Sequence, residues 1–474
     1  MIVNMNINTP RILISALKSG SGKTLITCAL LRALKRRGKN VTAFKCGPDY
    51  IDPMFHRTAL EVQSENLDIY FAGEDGVRRE LGTASVKSDI AVIEGVMGLY
   101  DGLSAENDFA SAYHIARATK TPIILVVDAK GMSRSLIALI KGFVDYDAEK
   151  LIRGVILNRI REHQYKTVKE IIESETGARA LGFFPERQEL RFESRYLGLK
   201  LPHEMEEIKN KLNAAAEQAE ESIDIEEILR IAKGAQLCES GDNLETHYNV
   251  QNGDKADKRS RAEEEYCDKA ADCNVTLAVA RDEAFCFYYG ANMRLLESLG
   301  VHLQYFSPLH DMRLPENVDG LLLGGGYPEL YAKELSANES MRTSIKNAID
   351  SGVPSLAECG GFMYLHESIE DMPMVGVIKG KTFNTGHLVN FGYAEITGKD
   401  ETLLSEKESI RGHEFHYFDS TNNGDSYTAT KRSTGKTRKE GHAGADHFWS
   451  FAHLYYPSCP EFVQHFVDKM KNPK

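Results

Sequence analysis

Short apolar runs alternate with helix-like segments along the first half of the chain. Five of these runs are rich in β-branched residues and predict strands buried on both faces of a parallel sheet: Arg11–Leu17, Asn40–Phe44, Asp89–Glu94, Pro122–Asp128 and Gly154–Asn158. Between them, Thr24–Arg37 and Ser133–Phe143 show helical patterns. Alternating strands and helices predict an α/β doubly wound domain.

The pattern breaks near residue 233 and resumes at residue 275. The intervening stretch is polar and mixed in charge, which predicts a flexible linker, the alternative being a long surface loop within one domain. Four later runs predict a second α/β sheet: Val275–Ala280, Gly320–Leu323, Ser355–Ala357 and Met374–Ile378. We therefore predict two α/β domains, residues 1–234 and 274–474, joined by a polar linker at residues 235–273.

Composition narrows the class of protein. The 474 residues carry a formal net charge of −12, which argues against general nucleic-acid binding. The eight cysteines are scattered without a CxxC pair, so neither a disulfide framework nor a zinc site is predicted. There is no signal-peptide pattern and no charge-free apolar run of about 18 residues, and both observations favour the cytoplasm over a membrane.

A phosphate-binding loop is predicted where the sequence reads SALKSGSGKT, between the first strand and the first helix. Glycines allow a tight turn whose N–H groups face phosphate oxygens, the lysine neutralises the β- and γ-phosphates, and the threonine hydroxyl binds Mg²⁺. The residues predicted to bind ATP are Gly20, Ser21, Gly22, Lys23 and Thr24. Leu17 occupies a position where the standard pattern has glycine, so the loop is a variant. We interpret Lys18 as a solvated lysine, the alternative being a phosphate contact across a dimer.

Two acidic segments follow predicted strands: KCGPDYIDPMFH at 45–56 and IEGVMGLYDG at 93–102. Ligands of open α/β sheets bind at the carboxyl ends of the strands, and a Mg²⁺ ion that bridges ATP needs a few carboxylate oxygens. Asp49 and Glu94, together with Thr24, are therefore the predicted metal ligands. Asp52 and Asp101 either bind the metal or orient the reacting carboxylate. A turn or helix-cap role is the alternative for each aspartate.

A second reactive motif, PSLAECGGFMYL, occupies residues 354–365. A strand that runs into a cysteine, two glycines and a helix is the pattern of a nucleophile elbow. A cysteine at a helix N-terminus is expected to have a lowered pKa, and Cys359 is therefore the predicted nucleophile. A base must accompany it. His453, His413 and His416 are all candidates, and spacing alone does not choose among them.

Taken in order, these motifs resemble the cobyrinic acid a,c-diamide synthase family. The loop and the two acidic segments are similar to its ATP-using half, which is related to dethiobiotin synthetase. The elbow half is similar to class I glutamine amidotransferases of flavodoxin-like fold. The resemblance implies that ATP phosphorylates a carboxylate of a corrin-type macrocycle and that ammonia from glutamine attacks the acyl phosphate. Tyr50, Ile51, Asp52 and Asp101 would then face that carboxylate, and Arg195 matches a family position whose role is less defined.

For the base, the resemblance selects His453, because class I glutamine amidotransferases place this histidine late, after a strand. Many of them carry a glutamate two residues further on. Tyr455 occupies that position here, so the sequence does not identify the third member of the triad. Gly324 and Gly325, in LLLGGGYPEL, are predicted to donate backbone N–H groups to the oxyanion, the alternative being an ordinary turn.

The expected partners are a corrin-type tetrapyrrole, glutamine and MgATP, without nucleic acid or membrane. Amidation of nickel sirohydrochlorin or hydrogenobyrinic acid is an alternative to amidation of the a and c acetates of cobyrinic acid. A different class of function is a P-loop partitioning ATPase with a degenerate C-terminal domain, and the AECGG elbow argues against it. Related enzymes of this fold often pair, so a homodimer through the N-terminal domain is one expectation, although the sequence does not determine the oligomeric state.

Overall fold

The computed structural model of the protein describes residues 6–190, 202–239, 274–399 and 401–472. By contacts between Cα atoms, the chain divides into two compact units. One unit is Val3–Asn243, and the other is Met1–Ile2 with Leu244–Lys474. Arg195 and most of the predicted linker, residues 240–273, lie outside the described residues. Among the described residues, no helix is both long enough and apolar enough to span a membrane.

The first unit is built on a parallel sheet. Its strands are β1 (Asn6–Ile7), β2 (Arg11–Ala16), β3 (Val41–Cys46), β4 (Gln63–Leu67), β5 (Ile90–Glu94), β6 (Ile123–Asp128), β7 (Ile152–Asn158), β8 (Arg179–Phe184) and β9 (Cys238–Glu239). Seven of them form one sheet in the order β4-β3-β5-β2-β6-β7-β8, and every neighbouring pair is parallel. The chain starts in the middle at β2, moves outward to β4 and returns at β5. The β2–β5 pair is therefore the topological switch point, where such sheets bind ligands.

Helices cover both faces of this sheet. They are α1 (Lys23–Arg36), α2 (Ile51–Thr58), α3 (Ile69–Ser85), α4 (Ala112–Ala118), α5 (Arg134–Tyr146), α6 (Glu162–Thr176), α7 (Pro202–Ser222) and α8 (Ile225–Lys233), with a 3₁₀ turn at Gln188–Leu190. Alternate residues of β2 point into opposite layers: Ile12 and Ile14 face α1, α7 and α8, whereas Leu13 faces α3 to α6. Burying each such side chain contributes about 1.5–3 kcal/mol. The α/β doubly wound prediction is confirmed.

All five strands predicted for this half are present, each within two residues of its predicted ends. The sequence pattern missed β4 and β8, and β4 (QSENL) is a polar edge strand with little apolar signal. At the end of the unit, β9 pairs antiparallel with β1, and the buried Arg11 guanidinium donates to the carbonyl of Gln236. The first residues of the predicted linker therefore pack against the first unit.

The second unit contains several sheets. Its strands are β10 (Val275–Ala280), β11 (Phe285–Phe287), β12 (Val301–Phe306), β13 (Gly320–Leu323), β14 (Gly325–Gly326), β15 (Ser355–Glu358), β16 (His366–Ile369), β17 (Met372–Pro373), β18 (Ile378–Asn384), β19 (Asn390–Thr397), β20 (Ser409–His416), β21 (Phe418–Ser420), β22 (Tyr427–Lys431), β23 (Thr437–Glu440), β24 (His442–Ala443), β25 (His447–Ser450) and β26 (His453–Tyr455). The central sheet has the order β12-β10-β13-β15-β25-β24. Only β24 is antiparallel in it.

Three other sheets belong to the described part of this unit. One is an antiparallel sheet in the order β23-β22-β19-β20-β26, the second has the order β17-β16-β18-β21, and the third is the antiparallel pair of β11 and β14. The predicted strand Met374–Ile378 is wrong, because residues 374–377 connect β17 to β18 and the strand starts only at Ile378. The run is apolar because Met374, Val375 and Ile378 are buried in the core, not because it is extended.

The helices of the second unit complete its α/β core. They are α9 (Gly290–Ser298), α10 (Ala332–Ala337), α11 (Glu339–Asp350), α12 (Gly360–Leu365) and α13 (Pro460–Lys471), with 3₁₀ turns at Pro328–Tyr331 and Tyr456–Ser458. The two faces of β10 again pack into different layers: Leu277 contacts the layer that contains α13, and Ala278 contacts the layer that contains α11 and α12. The elbow cysteine follows β15, in the middle of this sheet.

Candidate active site

In the first unit, the predicted phosphate loop connects β2 to α1. Gly20 and Gly22 have φ of +75° and +96°, in the left-handed region that favours glycine. A Cβ on Gly22 would lie only 2.1 Å from Nδ2 of Asn158. That amide donates a hydrogen bond of 2.8 Å to the carbonyl of Ser21. The loop is therefore clamped from the carboxyl end of β7.

A second brace comes from Arg159 and Asp128, at the ends of β7 and β6. Arg159 donates to Oδ1 of Asp128 at 2.8 Å and to the carbonyl of Gly20 at 3.2 Å. Sequence reasoning missed Asn158, Arg159 and Asp128 as partners of the loop. A usable signal existed, since polar residues at or directly after the carboxyl ends of two predicted strands belong to the ligand edge of such a sheet.

Inside the loop, Lys23 and Thr24 are already hydrogen-bonded. The Lys23 ammonium donates to the carbonyl of Met97, and the Thr24 hydroxyl donates to Oε1 of Glu94 at 2.7 Å. Burial, followed by repulsion from the Lys45 ammonium, lowers the pKa of Lys23 to about 8. An anion bound beside Lys23 would reverse this effect, so the site favours phosphate.

Beneath the loop lies a buried charge cluster. Lys45, at the end of β3, donates to Asp52 and to Oε1 of Glu94 at 2.9 Å. Burial acts to raise the pKa of Asp52, but the Lys45 ammonium outweighs it and holds that pKa below its usual range. Burial raises the pKa of Glu94 and lowers the pKa of His56 to about 4. The cluster thus brings together residues from β3, α2 and β5.

These residues fit a magnesium ion that is shared with ATP. Oε2 of Glu94 is fully buried and has no hydrogen-bond partner among the described residues, and the Thr24 hydroxyl lies beside the same carboxylate. A Mg²⁺ ion bound with ATP needs only one or two carboxylates, because phosphate and water supply its other ligands. The described part of the chain contains no group of three or more His, Cys, Asp or Glu that could hold a metal ion by itself.

The remaining predicted residues of this site lie around the same sheet edge. Asp49 accepts from the backbone N–H groups of Ile51 at 2.8 Å and Asp52 at 3.4 Å, as a residue that caps the start of α2 does. Its role as a metal ligand stays a prediction. Tyr50 and Ile51 are half-buried at the start of α2. Asp101 is exposed and accepts from the Gly98 N–H at 2.9 Å.

In the second unit, Cys359 sits in a strained turn between β15 and α12. Its φ is +48°, which non-glycine residues rarely adopt, and its N–H donates to the carbonyl of Ser450 at 2.7 Å. A Cβ on Gly361 would lie 2.0 Å from the carbonyl oxygen of Leu323, and one on Gly360 would lie 2.8 Å from Pro328. Only glycines allow so close an approach, which is the geometry of a nucleophile elbow.

The expected low pKa of Cys359 is wrong for the resting protein. Burial, followed by the negative charge of Glu329, raises the pKa of this thiol well above its ordinary value. The Gly360 N–H, which donates to the sulfur, only partly opposes the shift. The six-residue helix α12 is short, so burial dominates. The thiol therefore needs a base to take its proton.

Of the three candidate bases, His453 is the one whose contact with the predicted oxyanion loop is defined. A Cβ on Gly325 would be 2.2 Å from Cε1 of His453. In contrast, the His416 ring stacks on Phe451 with centroids 4.2 Å apart, and its Nδ1 is 2.6 Å from the carbonyl of Phe418. His413 pairs with His453 across β20 and β26. His453 therefore lies against the glycine loop, and its role as the base stays a prediction.

The contacts of Gly324 and Gly325 differ, and the difference bears on their predicted role as oxyanion donors. The Gly324 N–H donates to the Tyr288 hydroxyl at 3.0 Å, so an oxyanion role for Gly324 would require that bond to break. Gly325 lies against His453 and pairs with Phe287 across β14 and β11, and its oxyanion role stays a prediction. Sequence reasoning missed Gly360, whose N–H already points at the sulfur. In nucleophile elbows the residue after the nucleophile supplies an oxyanion donor, so the motif itself contained that signal.

Comparison with known protein families agrees with these two sites. Residues 12–197 match the CobQ/CobB/MinD/ParA nucleotide binding domain. Residues 276–456 match the CobB/CobQ-like glutamine amidotransferase domain. The fold and the two sites thus define an α/β protein that joins a P-loop nucleotide-binding domain to a glutamine amidotransferase domain in one chain.

Curated relatives match along nearly the whole chain. The chain is 38% identical to the cobyrinate a,c-diamide synthase of Caldanaerobacter subterraneus over 96% of its own length and 97% of the relative's. It is 37% identical to that of Clostridium acetobutylicum, over 96% and 99% of the two lengths. It is 39% identical to that of Listeria innocua, over 96% of its own length and 98% of the relative's. The chain belongs to the cobyrinate a,c-diamide synthase family.

Proposed function

We propose that this protein amidates the a and c acetate carboxylates of cobyrinic acid with nitrogen from glutamine, at the expense of ATP. The observation that carries the proposal is the conjunction, in one chain, of a phosphate loop joined to Glu94 through Thr24 and a strained cysteine elbow at Cys359. The relatives' name supports cobyrinic acid over nickel sirohydrochlorin or hydrogenobyrinic acid. It also supports an amidating ligase over a partitioning ATPase.

At the ATP site, the proposal assigns phosphate binding to the N–H groups of residues 20–24 and to Lys23, which releases the Met97 carbonyl as the nucleotide enters. Thr24 and Glu94 would hold Mg²⁺, with Asp49 as a predicted further ligand; the ion supplies charge neutralisation on the phosphates. A substrate carboxylate oxygen attacks the γ-phosphorus, and ADP leaves. Asp52, held by Lys45, and Asp101, Tyr50 and Ile51 at the same edge are proposed to position that carboxylate.

At the glutamine site, His453 takes the thiol proton while the Cys359 sulfur attacks the side-chain carbonyl carbon of glutamine. The N–H groups of Gly360 and Gly325 stabilise the resulting oxyanion. The protonated His453 then gives its proton to the departing nitrogen, which leaves as ammonia, and the carbonyl remains on sulfur as a thioester. Water releases glutamate and regenerates the thiol. Ammonia attacks the acyl phosphate, and phosphate leaves as the amide forms.

The proposal is tested by incubating purified protein with cobyrinic acid, MgATP and glutamine and measuring product mass. We expect the mass to fall by about one unit in each of two successive steps, because one oxygen of each carboxyl group is replaced by an NH group. A panel with nickel sirohydrochlorin and hydrogenobyrinic acid measures the substrate preference. Absence of amidated cobyrinic acid, or a clear preference for another macrocycle, would contradict the proposed substrate.

Cys359→Ala separates the two half-reactions. We expect the variant to lose glutamine-dependent amidation and to retain amidation with ammonium salts, because its ATP site is unchanged. Lys23→Ala should lose both. If Cys359→Ala kept glutamine-dependent activity, the assignment of the nucleophile would be wrong. The Mg²⁺ requirement and pairing of two chains stay predictions, to be measured by metal titration of the ammonium-dependent reaction and by light scattering.

A further inference from the structure

In nucleophile–histidine sites, a third group usually orients the imidazole. The sequence has Tyr455 where many related enzymes have that group. Its ring packs edge-on against Tyr289, with centroids 6.0 Å apart. A phenol at this position carries no charge at neutral pH, so an acidic group, if one orients His453, must come from another part of the second unit.

The last residue of β15, Glu358, is such a group. Its side chain is buried, with 5% of the residue exposed, and its Oε2 lies 4.0 Å from Nδ1 of His453. The other oxygen, Oε1, accepts from the Tyr456 hydroxyl at 2.9 Å. The Leu454 N–H also donates to this carboxyl group. Both donors are neighbours of His453 in sequence, so the segment that carries the histidine also anchors the carboxylate.

We propose that Glu358 is the positioning residue that orients His453 in glutamine hydrolysis, and that the nucleophile and the acidic member of this triad are therefore adjacent in sequence. The inference rests on the proposed function of Cys359 and His453. In its ionised form, Glu358 accepts the Nδ1–H of His453, which leaves Nε2 with a lone pair for the thiol proton. It also stabilises the imidazolium that then forms. In its protonated form, it would donate to Nδ1 and leave the proton on Nε2, the wrong tautomer.

The separation of 4.0 Å is that of an ion pair and is longer than a hydrogen bond. Catalytic contacts are often loose without substrate and tighten in the complex. Burial, and after it the imidazoles of His413 and His416 on β20, lower the pKa of His453 to about 3, so the imidazole is unprotonated in the absence of substrate and can accept the thiol proton.

This arrangement has a consequence for pH dependence. Burial raises the pKa of Glu358 to about 8, although the Tyr456 hydroxyl and the Leu454 N–H both act to lower it. Because only the ionised carboxyl group supports the reactive tautomer, kcat/KM for glutamine should rise with pH through a group with a pKa near 8. We call this rise the limb near pH 8. If Glu358 oriented His453 through neutral hydrogen bonds alone, the profile would have no such limb.

The test measures glutaminase kcat, KM and pH profile in the full-length enzyme. Glu358→Gln should lose about 100-fold or more in kcat, as removal of an acid–base partner does, with little change in KM. Its profile should also lack the limb near pH 8. Glu358→Asp keeps a carboxylate and should recover at least about tenfold of that kcat. Gln preserves the hydrogen bonds to Tyr456 and Leu454 better than Asp does. If Glu358 had only a structural role, kcat would therefore be higher in Glu358→Gln than in Glu358→Asp.

Two conservative variants test the same idea without changing Glu358. Tyr456→Phe removes a donor that favours the ionised carboxyl group, so the limb should move to higher pH. Tyr455→Phe is the matched control, and its profile should equal that of the wild type. Trp449, the only tryptophan, donates to Ser355 on the same strand as Glu358 at 3.0 Å, and its fluorescence reports whether this unit is folded.

The outcomes are distinct. Absence of glutaminase activity in the wild type would refute the proposed function. An active wild type with a folded Glu358→Gln variant of equal kcat, or with Gln more active than Asp, would refute the role of Glu358. If Glu358→Gln did not fold, Tyr456→Phe decides: an unmoved limb, or an equal shift in Tyr455→Phe, would refute the inference.

Discussion

Substituting Gly22 by alanine in the phosphate loop should destabilise the first unit far more than the same change at Gly20. Both residues have positive φ, +96° and +75°, so alanine at either position costs about 1–2 kcal/mol in backbone strain. The surroundings differ. A Cβ on Gly20 meets nothing within 4 Å, whereas a Cβ on Gly22 would lie 2.1 Å from Nδ2 of Asn158.

That clash sets the size of the effect. Asn158 must move, which costs about 1–3 kcal/mol of overpacking strain, and its bond to the Ser21 carbonyl is lost at about 0.5–1.5 kcal/mol. We therefore expect Gly22→Ala to lower the free energy of unfolding by about 1.5–4.5 kcal/mol more than Gly20→Ala does. Urea unfolding followed by far-ultraviolet circular dichroism measures this difference. The unfolding transition that Trp449 fluorescence reports should be the same in both variants, because Trp449 belongs to the other unit.

A double-mutant cycle tests the cause. In an Asn158→Ala background the clashing amide is absent, so Gly22→Ala should cost no more than Gly20→Ala costs in that background. If the excess cost of Gly22→Ala persisted without the Asn158 side chain, or if the two glycine variants were equally stable in the parent protein, the clamp described for this loop would be refuted.

Two further predictions concern buried charges. Lys45→Met should destabilise the first unit by about 3–5 kcal/mol at neutral pH, because Asp52 and Glu94 lose their shared cation. Their folded pKa values would then lie above their unfolded values, so the deficit should shrink as pH falls through the folded values; a deficit independent of pH in urea unfolding would contradict this. Glu329→Gln removes a charge that raises the pKa of Cys359, so Cys359 should be alkylated faster by iodoacetamide. Because burial raises the pKa of Glu329 to about 7, this difference should appear above pH 7 and vanish below it, as measured on the Cys359 peptide by mass spectrometry.

The main features of the fold could be predicted because they depend on local patterns. Fully buried strands such as β2 and β5 are short, nearly continuous apolar runs. A short apolar run that is bounded by turn signals is typical of a buried strand, because helices are usually longer. The failures have the same origin. The polar edge strand β4 carries little apolar signal, and Met374–Ile378 is apolar through burial in a connection. Apolar content reports burial, and burial does not require extended backbone.

The sequence by itself determined the family, and it predicted the reactive groups from local motifs: the phosphate loop with Lys23, the elbow with Cys359, and their order along the chain. Such motifs can be recognised in a sequence because each depends on residues only a few positions apart. Only the tertiary structure decided which distant groups meet them. Asn158 clamps the loop from another strand, and Tyr288 uses the Gly324 N–H.

The state of Cys359 shows the same division. Its place beside a helix suggested a low pKa, yet burial, together with Glu329 and Glu414 from distant parts of the chain and the adjacent Glu358, raises that pKa. Glu358 precedes Cys359 in the chain, but its approach to His453 depends on β25, which pairs with β15 almost a hundred residues later and leads into β26. Burial and long-range proximity are properties of the packed chain, because they arise from segments whose separation in sequence leaves no local pattern.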